Sequence, residues 1–158
     1  MGYEQQARDA GVNLDMKLIR PGNFDSVVGV HDMLYVSGSI ALADGGGGIK
    51  HAGRLGDDMD VTDGQVSARG AGAAILASVH QHLGSLDRVE RVIRLTGYVT
   101  SNPGFNDQPK VINGASDLMI EVFGDPGRHA RSAIGVAELP FGASVEVEAI
   151  FQIRPRSR

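Results

Sequence analysis

Near the C-terminus, apolar and acidic residues alternate in the run Val145-Glu146-Val147-Glu148-Ala149-Ile150-Phe151. Successive side chains of a β-strand point to opposite faces, so this run predicts a strand with one apolar face and one acidic face. The apolar face suits a buried core. Glu146 and Glu148 share the other face, where their like charges repel and where burial would raise the pKa of one of them. The pair is either a solvated polar surface or part of a functional site.

A second strand is predicted just before this one, from Ala130 to Glu138, with a turn at Leu139-Pro140-Phe141-Gly142 between the two. Arg131 lies in this strand and is followed by small and apolar residues, an unusual setting for a purely solvated arginine. A guanidinium can bind a carboxylate through two parallel hydrogen bonds. The sequence leaves open whether that carboxylate belongs to a ligand or to Glu146 or Glu148 in an ion pair.

Upstream, hydrophobic periodicity and turn residues predict five further elements. They are strands at Phe24–Val30 and Met33–Ile40, a helix from the Thr62–Gln65 capping box to about Leu83, a strand at Val89–Val99 and a helix at about Gln108–Phe123. This order predicts one α+β domain over residues 1–158, with residues 1–22 as an N-terminal arm and two helices covering one side of a mixed sheet. The other face would need burial against further copies of the chain, so we expect a homo-oligomer.

Composition excludes several classes of site. The 158 residues contain no cysteine, which rules out disulfides, thiolate metal ligands and a cysteine nucleophile. A net charge of −4 argues against nucleic acid as a partner. The first 21 residues contain no continuous apolar run, so we expect no signal peptide, no membrane anchor and a cytoplasmic location.

Neither the histidines nor the glycine-rich segment indicates a bound cofactor. His80 and His82 are two residues apart on a predicted helix and cannot face one ion together. The other histidines are isolated in sequence, so we expect no metal site. The segment Asp44-Gly45-Gly46-Gly47-Gly48 predicts a hairpin loop, because Ile49-Lys50 follows it instead of the Lys-Ser/Thr pair of a phosphate-binding loop.

Several short motifs occur in a characteristic order. They are Val36-Ser37-Gly38, Leu86-Asp87-Arg88-Val89, Val111-Ile112-Asn113, Ala130-Arg131-Ser132, Val136-Ala137-Glu138-Leu139-Pro140 and Val145-Glu146-Val147-Glu148-Ala149-Ile150. From about Phe24 to Ile153, this set resembles the RidA/YjgF family. The resemblance implies a chorismate-mutase-like fold, a homotrimer and hydrolytic deamination of reactive 2-imino and 2-enamino acids. The segments between Ser101 and Gly124 resemble a longer, YjgF-like branch of the family.

The resemblance also assigns roles to individual residues. Arg131 would hold the carboxylate of a small substrate, and Glu146 would position or activate the attacking water. Phe24, Ser37, Gly38 and Ala133 would line a pocket that lies between subunits. The reaction type is that of a 2-iminobutanoate/2-iminopropanoate deaminase, which requires no cofactor and no metal.

The chain departs from the family pattern at three places. Phe24 stands where typical members have a pocket tyrosine, so the ring is kept and its hydroxyl is lost. Ala133 replaces a small cysteine, and the Ala41–Gly56 loop is longer than usual. These departures leave a second hypothesis open, a non-catalytic trimeric module that binds small carboxylates. A ribonuclease, suggested only by an alternative family label, has little support because the chain lacks a His/Lys catalytic cluster.

Overall fold

A computed structural model describes residues 2–43 and 48–155. These residues form three α-helices and five β-strands; the strands and the two longer helices follow one another in the predicted order, and a further short helix lies in the N-terminal arm. The helices are α1 (Tyr3–Asp9), α2 (Val61–Leu83) and α3 (Gln108–Phe123). The strands are β1 (Val27–Val30), β2 (Met33–Ile40), β3 (Val89–Thr100), β4 (Ala130–Val136) and β5 (Val145–Ile153).

The strands form one mixed sheet in the order β1-β2-β5-β3-β4. The β1–β2, β2–β5 and β5–β3 pairs are antiparallel, whereas β3 and β4 are parallel. The α3 helix makes the connection between the parallel strands, as a crossover requires. The α+β prediction is therefore confirmed, although β1 begins three residues later and β4 ends two residues earlier than the sequence pattern indicated.

The start of α2 differs from the prediction. Its N-cap is Asp60 instead of Thr62, and the capping box joins Asp60 to Asp63. The Asp60 carboxylate accepts a hydrogen bond of 2.9 Å from the Asp63 amide, and Asp63 accepts one of 3.2 Å from the Asp60 amide. Threonine and aspartate are both favourable N-cap residues. Here the Asp60–Asp63 pair also places negative charge at the positive end of the helix. The helix ends at Gly84, whose φ of 80° is left-handed, as predicted.

Helices α2 and α3 cover one face of the sheet. The apolar positions of β5 are buried beneath them, namely Val145, Val147, Ala149 and Phe151, as the alternating sequence predicted. The N-terminal helix α1 packs on the outside of α3, where the Tyr3 ring meets Phe123 edge-on at 4.9 Å between ring centroids. Burial of this apolar surface is the main source of stability for the domain.

The other face of the sheet is open in the single chain. It carries polar side chains in its centre, where the Tyr98 hydroxyl donates to Glu148 at 3.1 Å and Arg94 donates to Ser132 at 2.7 Å. Exposed apolar side chains lie on the same face, namely Val28, Val30, Tyr35 and Ile134. Val28, Val30 and Tyr35 lie at the β1–β2 edge of this face and Ile134 at its β4 edge, so the apolar surface available for an interaction lies at both edges.

Within residues 2–43 and 48–155, no helix is long and apolar enough to cross a membrane. The same residues contain no group of three or more His, Asp or Glu side chains arranged to hold a metal ion. Of the predicted glycine-rich hairpin, residues 44–47 lie outside the described part of the chain. The residues flanking it do approach, since Leu42 and Ile49 form an antiparallel bridge.

Candidate functional site

A cavity of about 360 Å³ lies beside the second half of β2, beyond the point where β1 stops pairing. Four of the six predicted site residues line it: Phe24, Ser37, Gly38 and Glu146. We call this cavity the Glu146 pocket. Its volume falls in the range of small-molecule sites, which usually combine apolar walls with a few polar groups.

Gly38 lets the Glu146 carboxyl enter the pocket. The pairing of β2 with β5 is irregular between Val36 and Ser39, and Gly38 lies in this bulge. A Cβ atom on Gly38 would overlap the Oε1 atom of Glu146. Ser37 anchors the bulge, because its hydroxyl donates to the Asp25 carbonyl at 2.7 Å. A glycine is therefore needed for close approach, a common reason for glycine within a strand.

We expect Gly38→Ala to displace Glu146 from the pocket while the fold is kept. Gly29→Ala is the matched control, because a Cβ on Gly29 would meet its nearest neighbour, Leu34 Cδ2, at an ordinary 3.4 Å. NMR titration of the Glu146 carboxyl measures the result: its pKa should move toward the ordinary value in Gly38→Ala and stay unchanged in Gly29→Ala. An unchanged Glu146 pKa in Gly38→Ala would show that the carboxyl does not depend on this contact.

Glu146 has the properties of a proton carrier. Burial raises the pKa of its carboxyl above the ordinary value of 4.5, and the neighbouring negative charge of Glu148 raises this pKa further. Among the described residues, no donor forms a hydrogen bond to Glu146. A half-buried carboxyl that is free to bind a proton and faces a cavity is a typical candidate for general acid–base chemistry.

Glu148 has a different environment, although it shares the same strand face. Its Oε1 atom accepts a hydrogen bond of 3.1 Å from the Tyr98 hydroxyl. The pKa of Tyr98 is raised mainly by burial and also by this hydrogen bond to Glu148. Glu148 is not in the lining of the Glu146 pocket. Its contribution to that pocket is therefore electrostatic, through the pKa of Glu146.

Apolar side chains that the sequence analysis did not assign to the site form most of the pocket wall. They come from the N-terminal arm, from both sides of the 41–56 loop and from the turn before β5, namely Leu18, Ile19, Pro21, Leu42, Ile49, Pro140 and Phe141. Leu42 and Ile49 belong to the long 41–56 loop, so its described residues border the pocket. Phe141 is 62% exposed and has a φ of 61°, an unfavourable backbone conformation for a bulky residue.

Arg131 and Ala133 lie elsewhere, on the edge strand β4. Their register partners in β3 are Leu95 and Gly97, so both point to the helix-covered side of the sheet. The Arg131 guanidinium contacts α3, where it donates to the Asn113 side-chain oxygen at 2.8 Å, to Ser116 Oγ at 3.1 Å and to the Pro109 carbonyl at 3.1 Å. We call this region the Arg131 edge.

The suggested ion pair of Arg131 with Glu146 or Glu148 does not form in the described chain. Those carboxyls lie on β5 and point to the opposite face of the sheet. Arg131 instead binds three uncharged oxygen atoms, which hold the guanidinium in place, and no carboxylate within residues 2–43 and 48–155 pairs with it. Such an arrangement suits the binding of an external anion.

The six predicted residues therefore form two separate groups in one chain. The Glu146 pocket lies beside the second half of β2, and the Arg131 edge lies on β4, at the far edge of the sheet beyond β5 and β3. The Arg131 and Glu146 side chains also point to opposite faces of the sheet. A ligand that touches both Arg131 and Glu146 would need the Arg131 edge of one copy to meet the Glu146 pocket of another.

The chain is similar to known proteins in both sequence and fold. A family model described as "YjgF/chorismate_mutase-like, putative endoribonuclease" matches residues 4–151. The chain is 44% identical over 144 residues to protein TCP17 of Trypanosoma cruzi, a match that covers 90% of this chain and 89% of TCP17.

Solved structures support the same assignment. The Atu1372 protein of Agrobacterium tumefaciens is 40% identical, with a TM-score of 0.86 over 96% of this chain and 92% of that one. TdcF of E. coli, solved with bound serine, is 25% identical, with a TM-score of 0.60 over 86% of this chain and 91% of that one. The sequence match and the shared fold together place this chain in the RidA/YjgF family.

Proposed function

We propose that the protein hydrolyses small reactive 2-imino and 2-enamino acids to keto acids and ammonia, as a deaminase of the 2-iminobutanoate/2-iminopropanoate type. The observation that carries this proposal is the arrangement of two complementary groups. Arg131 holds an unneutralised positive charge, and Glu146 presents a carboxyl with a raised pKa to a cavity. TdcF, a relative, binds serine, which also has a carboxylate next to a nitrogen-bearing carbon.

The chemistry needs an anchor and a proton carrier. Arg131 binds the substrate carboxylate and fixes the orientation of the reacting carbon. In its protonated form, Glu146 gives a proton to the β-carbon of an enamine, which becomes an imine. The resulting Glu146 carboxylate then takes a proton from water as the water oxygen bonds to the imine carbon. The carbinolamine expels ammonia, which leaves the keto acid and completes a balanced addition of one water.

We further propose that the working form is a homotrimer with its sites between copies. The Arg131 edge of one copy would close the Glu146 pocket of the next, since the Arg131 and Glu146 side chains point to opposite faces of the sheet within one chain. The open sheet face supports this assembly, because Val28, Tyr35 and Ile134 are exposed there in the single chain. A closed ring of identical copies would bury this face and complete every site.

A direct assay tests the activity. An amino-acid oxidase generates the 2-imino acid in place, and the rate of ammonia release is measured with and without the protein. We expect the release to accelerate in proportion to protein concentration. Release at the uncatalysed rate, with carboxylate binding still present in calorimetry, would instead support the non-catalytic binding module. Phe24 is the residue that motivates this alternative, because its ring lacks the hydroxyl expected in the pocket.

We expect Phe141 to lower the stability of the fold and to strengthen ligand binding. Glycine adopts its left-handed backbone without strain, so Phe141→Gly should raise the free energy of unfolding by about 1 kcal/mol. The same change removes part of the apolar wall, so 2-oxohexanoate should bind more weakly while pyruvate binds almost as before. Thermal unfolding and calorimetry check both effects. Equal losses for the two keto acids would show that Phe141 does not contact the substrate side chain.

A further inference from the structure

A buried hydrogen-bonded chain connects Arg131 to a histidine. Ser116 Oγ lies 3.1 Å from the Nη1 atom of Arg131 and 3.0 Å from the Nε2 atom of His129. The other ring nitrogen of His129, Nδ1, lies 2.6 Å from the Gly127 carbonyl oxygen. Ser116 is only 8% exposed, so solvent has little access to the middle of this chain.

The partners fix the direction of each hydrogen bond. The Gly127 carbonyl can only accept, so Nδ1 of His129 carries the hydrogen and Nε2 of the neutral ring is an acceptor. The Ser116 hydroxyl therefore donates to Nε2, and its oxygen lone pairs face Arg131. The guanidinium can only donate, so Arg131 gives a hydrogen bond to Ser116. In this arrangement, each donor in the hydrogen-bonded chain faces an acceptor.

The electrostatic surroundings keep His129 neutral. Burial lowers the pKa of its ring, and the positive charge of Arg131 lowers that pKa further, whereas the hydrogen bond to Gly127 acts in the opposite direction. Arg131, which lies on β4, is the charged group that acts on the ring. Helix α3 presents the Ser116 hydroxyl, and the preceding turn presents the Gly127 carbonyl. A neutral ring is the form that accepts from Ser116.

The hydrogen bond from Ser116 to His129 completes the support that α3 gives to Arg131. Pro109, Asn113 and Ser116 are spaced i, i+4 and i+7 along the helix, so their oxygen atoms lie on one helix face beside the guanidinium. An arginine side chain has many rotamers, and a free one would have to be ordered when the ligand binds. Ser116 could rotate between several partners, and His129 is the contact that directs its hydroxyl away from Arg131.

We propose that Ser116 and His129 form a positioning pair that holds Arg131 ready for the substrate carboxylate. This inference rests on the proposed role of Arg131 as the carboxylate anchor. Neither Ser116 nor His129 contacts the substrate in this account. Their loss should therefore weaken binding of the carboxylate and raise KM, with a smaller effect on kcat.

Calorimetry with 2-oxobutanoate, a stable keto acid, tests the pair. We expect Ser116→Ala and His129→Leu each to weaken binding by about 3- to 10-fold, the usual effect of one lost hydrogen bond. His129→Gln should restore most of the affinity, because its side-chain oxygen can accept from Ser116. Ser67→Ala is the control: Ser67 is also a buried helix serine, it bonds Ser144, and its loss should lower the melting temperature without changing keto-acid affinity.

The possible outcomes are distinguishable. Wild-type affinity in both Ser116→Ala and His129→Leu would overturn the positioning pair alone. Failure of the wild-type protein to bind any keto acid would overturn the proposed function and the pair together. Nitrogen NMR of His129 adds a readout that does not depend on activity. The ring should carry its hydrogen on Nδ1, and a hydrogen on Nε2 at neutral pH would contradict the proposed direction of the chain.

Discussion

Arg131→Met should abolish the accelerated release of ammonia from 2-imino acids. Methionine keeps much of the side-chain length but provides neither the positive charge nor the paired donors that a carboxylate requires. Loss of a charge-assisted hydrogen bond should weaken keto-acid binding by about 10- to 100-fold. The loss in kcat/KM should be larger, because the substrate is no longer oriented toward the proton carrier.

Arg128→Met is the matched control for this change. Arg128 lies three residues before Arg131, and its exposed side chain forms an ion pair with Asp125, at 3.5 Å. Its replacement removes the same charge from the same end of the molecule, so it tests for a general electrostatic effect. We expect activity close to that of the wild type. Equal losses in the two variants would mean that Arg131 acts through net charge and does not bind the substrate.

The second large effect is expected for Glu146→Gln. The amide fits the space of the carboxyl beside Gly38 but cannot carry a proton between water and substrate. General acid–base catalysis by a positioned side chain contributes about 100- to 10,000-fold, and kcat should fall by that amount. Keto-acid affinity should change little, because Arg131 provides the anchor. Steady-state kinetics and calorimetry on the same sample separate the two quantities.

Glu148→Gln tests whether Glu148 acts only through its charge, by raising the pKa of Glu146. Glu148 raises the pKa of Glu146 through its charge, and a glutamine can still accept the hydrogen bond from Tyr98. With a 2-imino acid as substrate, whose hydration begins with the Glu146 carboxylate, the variant should keep its activity. The acidic limb of its kcat/KM profile should move to lower pH, because the pKa of Glu146 falls when the neighbouring charge is removed. A limb that stays in place would show that another group controls it.

Glu146→Gln should also stabilise the fold at neutral pH. The pKa of Glu146 is higher in the folded chain than its ordinary 4.5, so the folded state binds more protons between these two values. Wild-type stability therefore falls as the pH rises through this interval, and the full penalty remains above it. The gain from glutamine should be greatest at pH 7 and vanish below the unfolded pKa. Thermal unfolding as a function of pH measures the difference.

Much of the fold could be predicted because its elements follow simple periodic patterns. The β5 alternation placed Val145 and Phe151 in the core, and the bounds of α3 agreed with the sequence prediction. The errors occurred where tertiary contacts compete with local signals. The capping box of α2 uses Asp60 in place of the equally suitable Thr62, because both residues offer a side-chain oxygen and only the packed chain selects one.

The site was harder to predict, because its two halves depend on contacts between distant segments. The sequence could single out Arg131 and Glu146, but it could not show that they face opposite sides of the sheet, since the pairing register of the strands decides this. The support of Arg131 by Ser116 and His129 could not be predicted from the sequence. Its only sequence signal is the i, i+4, i+7 spacing of residues on α3, which ordinarily indicates core packing.

Subunit complementation tests the composite site most directly. Arg131→Met and Glu146→Gln chains are unfolded together, mixed in equal amounts and refolded, so that copies of both kinds enter the same assemblies. A site between copies is intact when its Arg131 comes from a Glu146→Gln chain and its Glu146 comes from an Arg131→Met chain. Random assembly of equal amounts gives this combination at about one site in four. We expect about that fraction of wild-type activity to return. Mixed assemblies confirmed by native mass spectrometry that remain as inactive as either variant alone would contradict a site shared between copies.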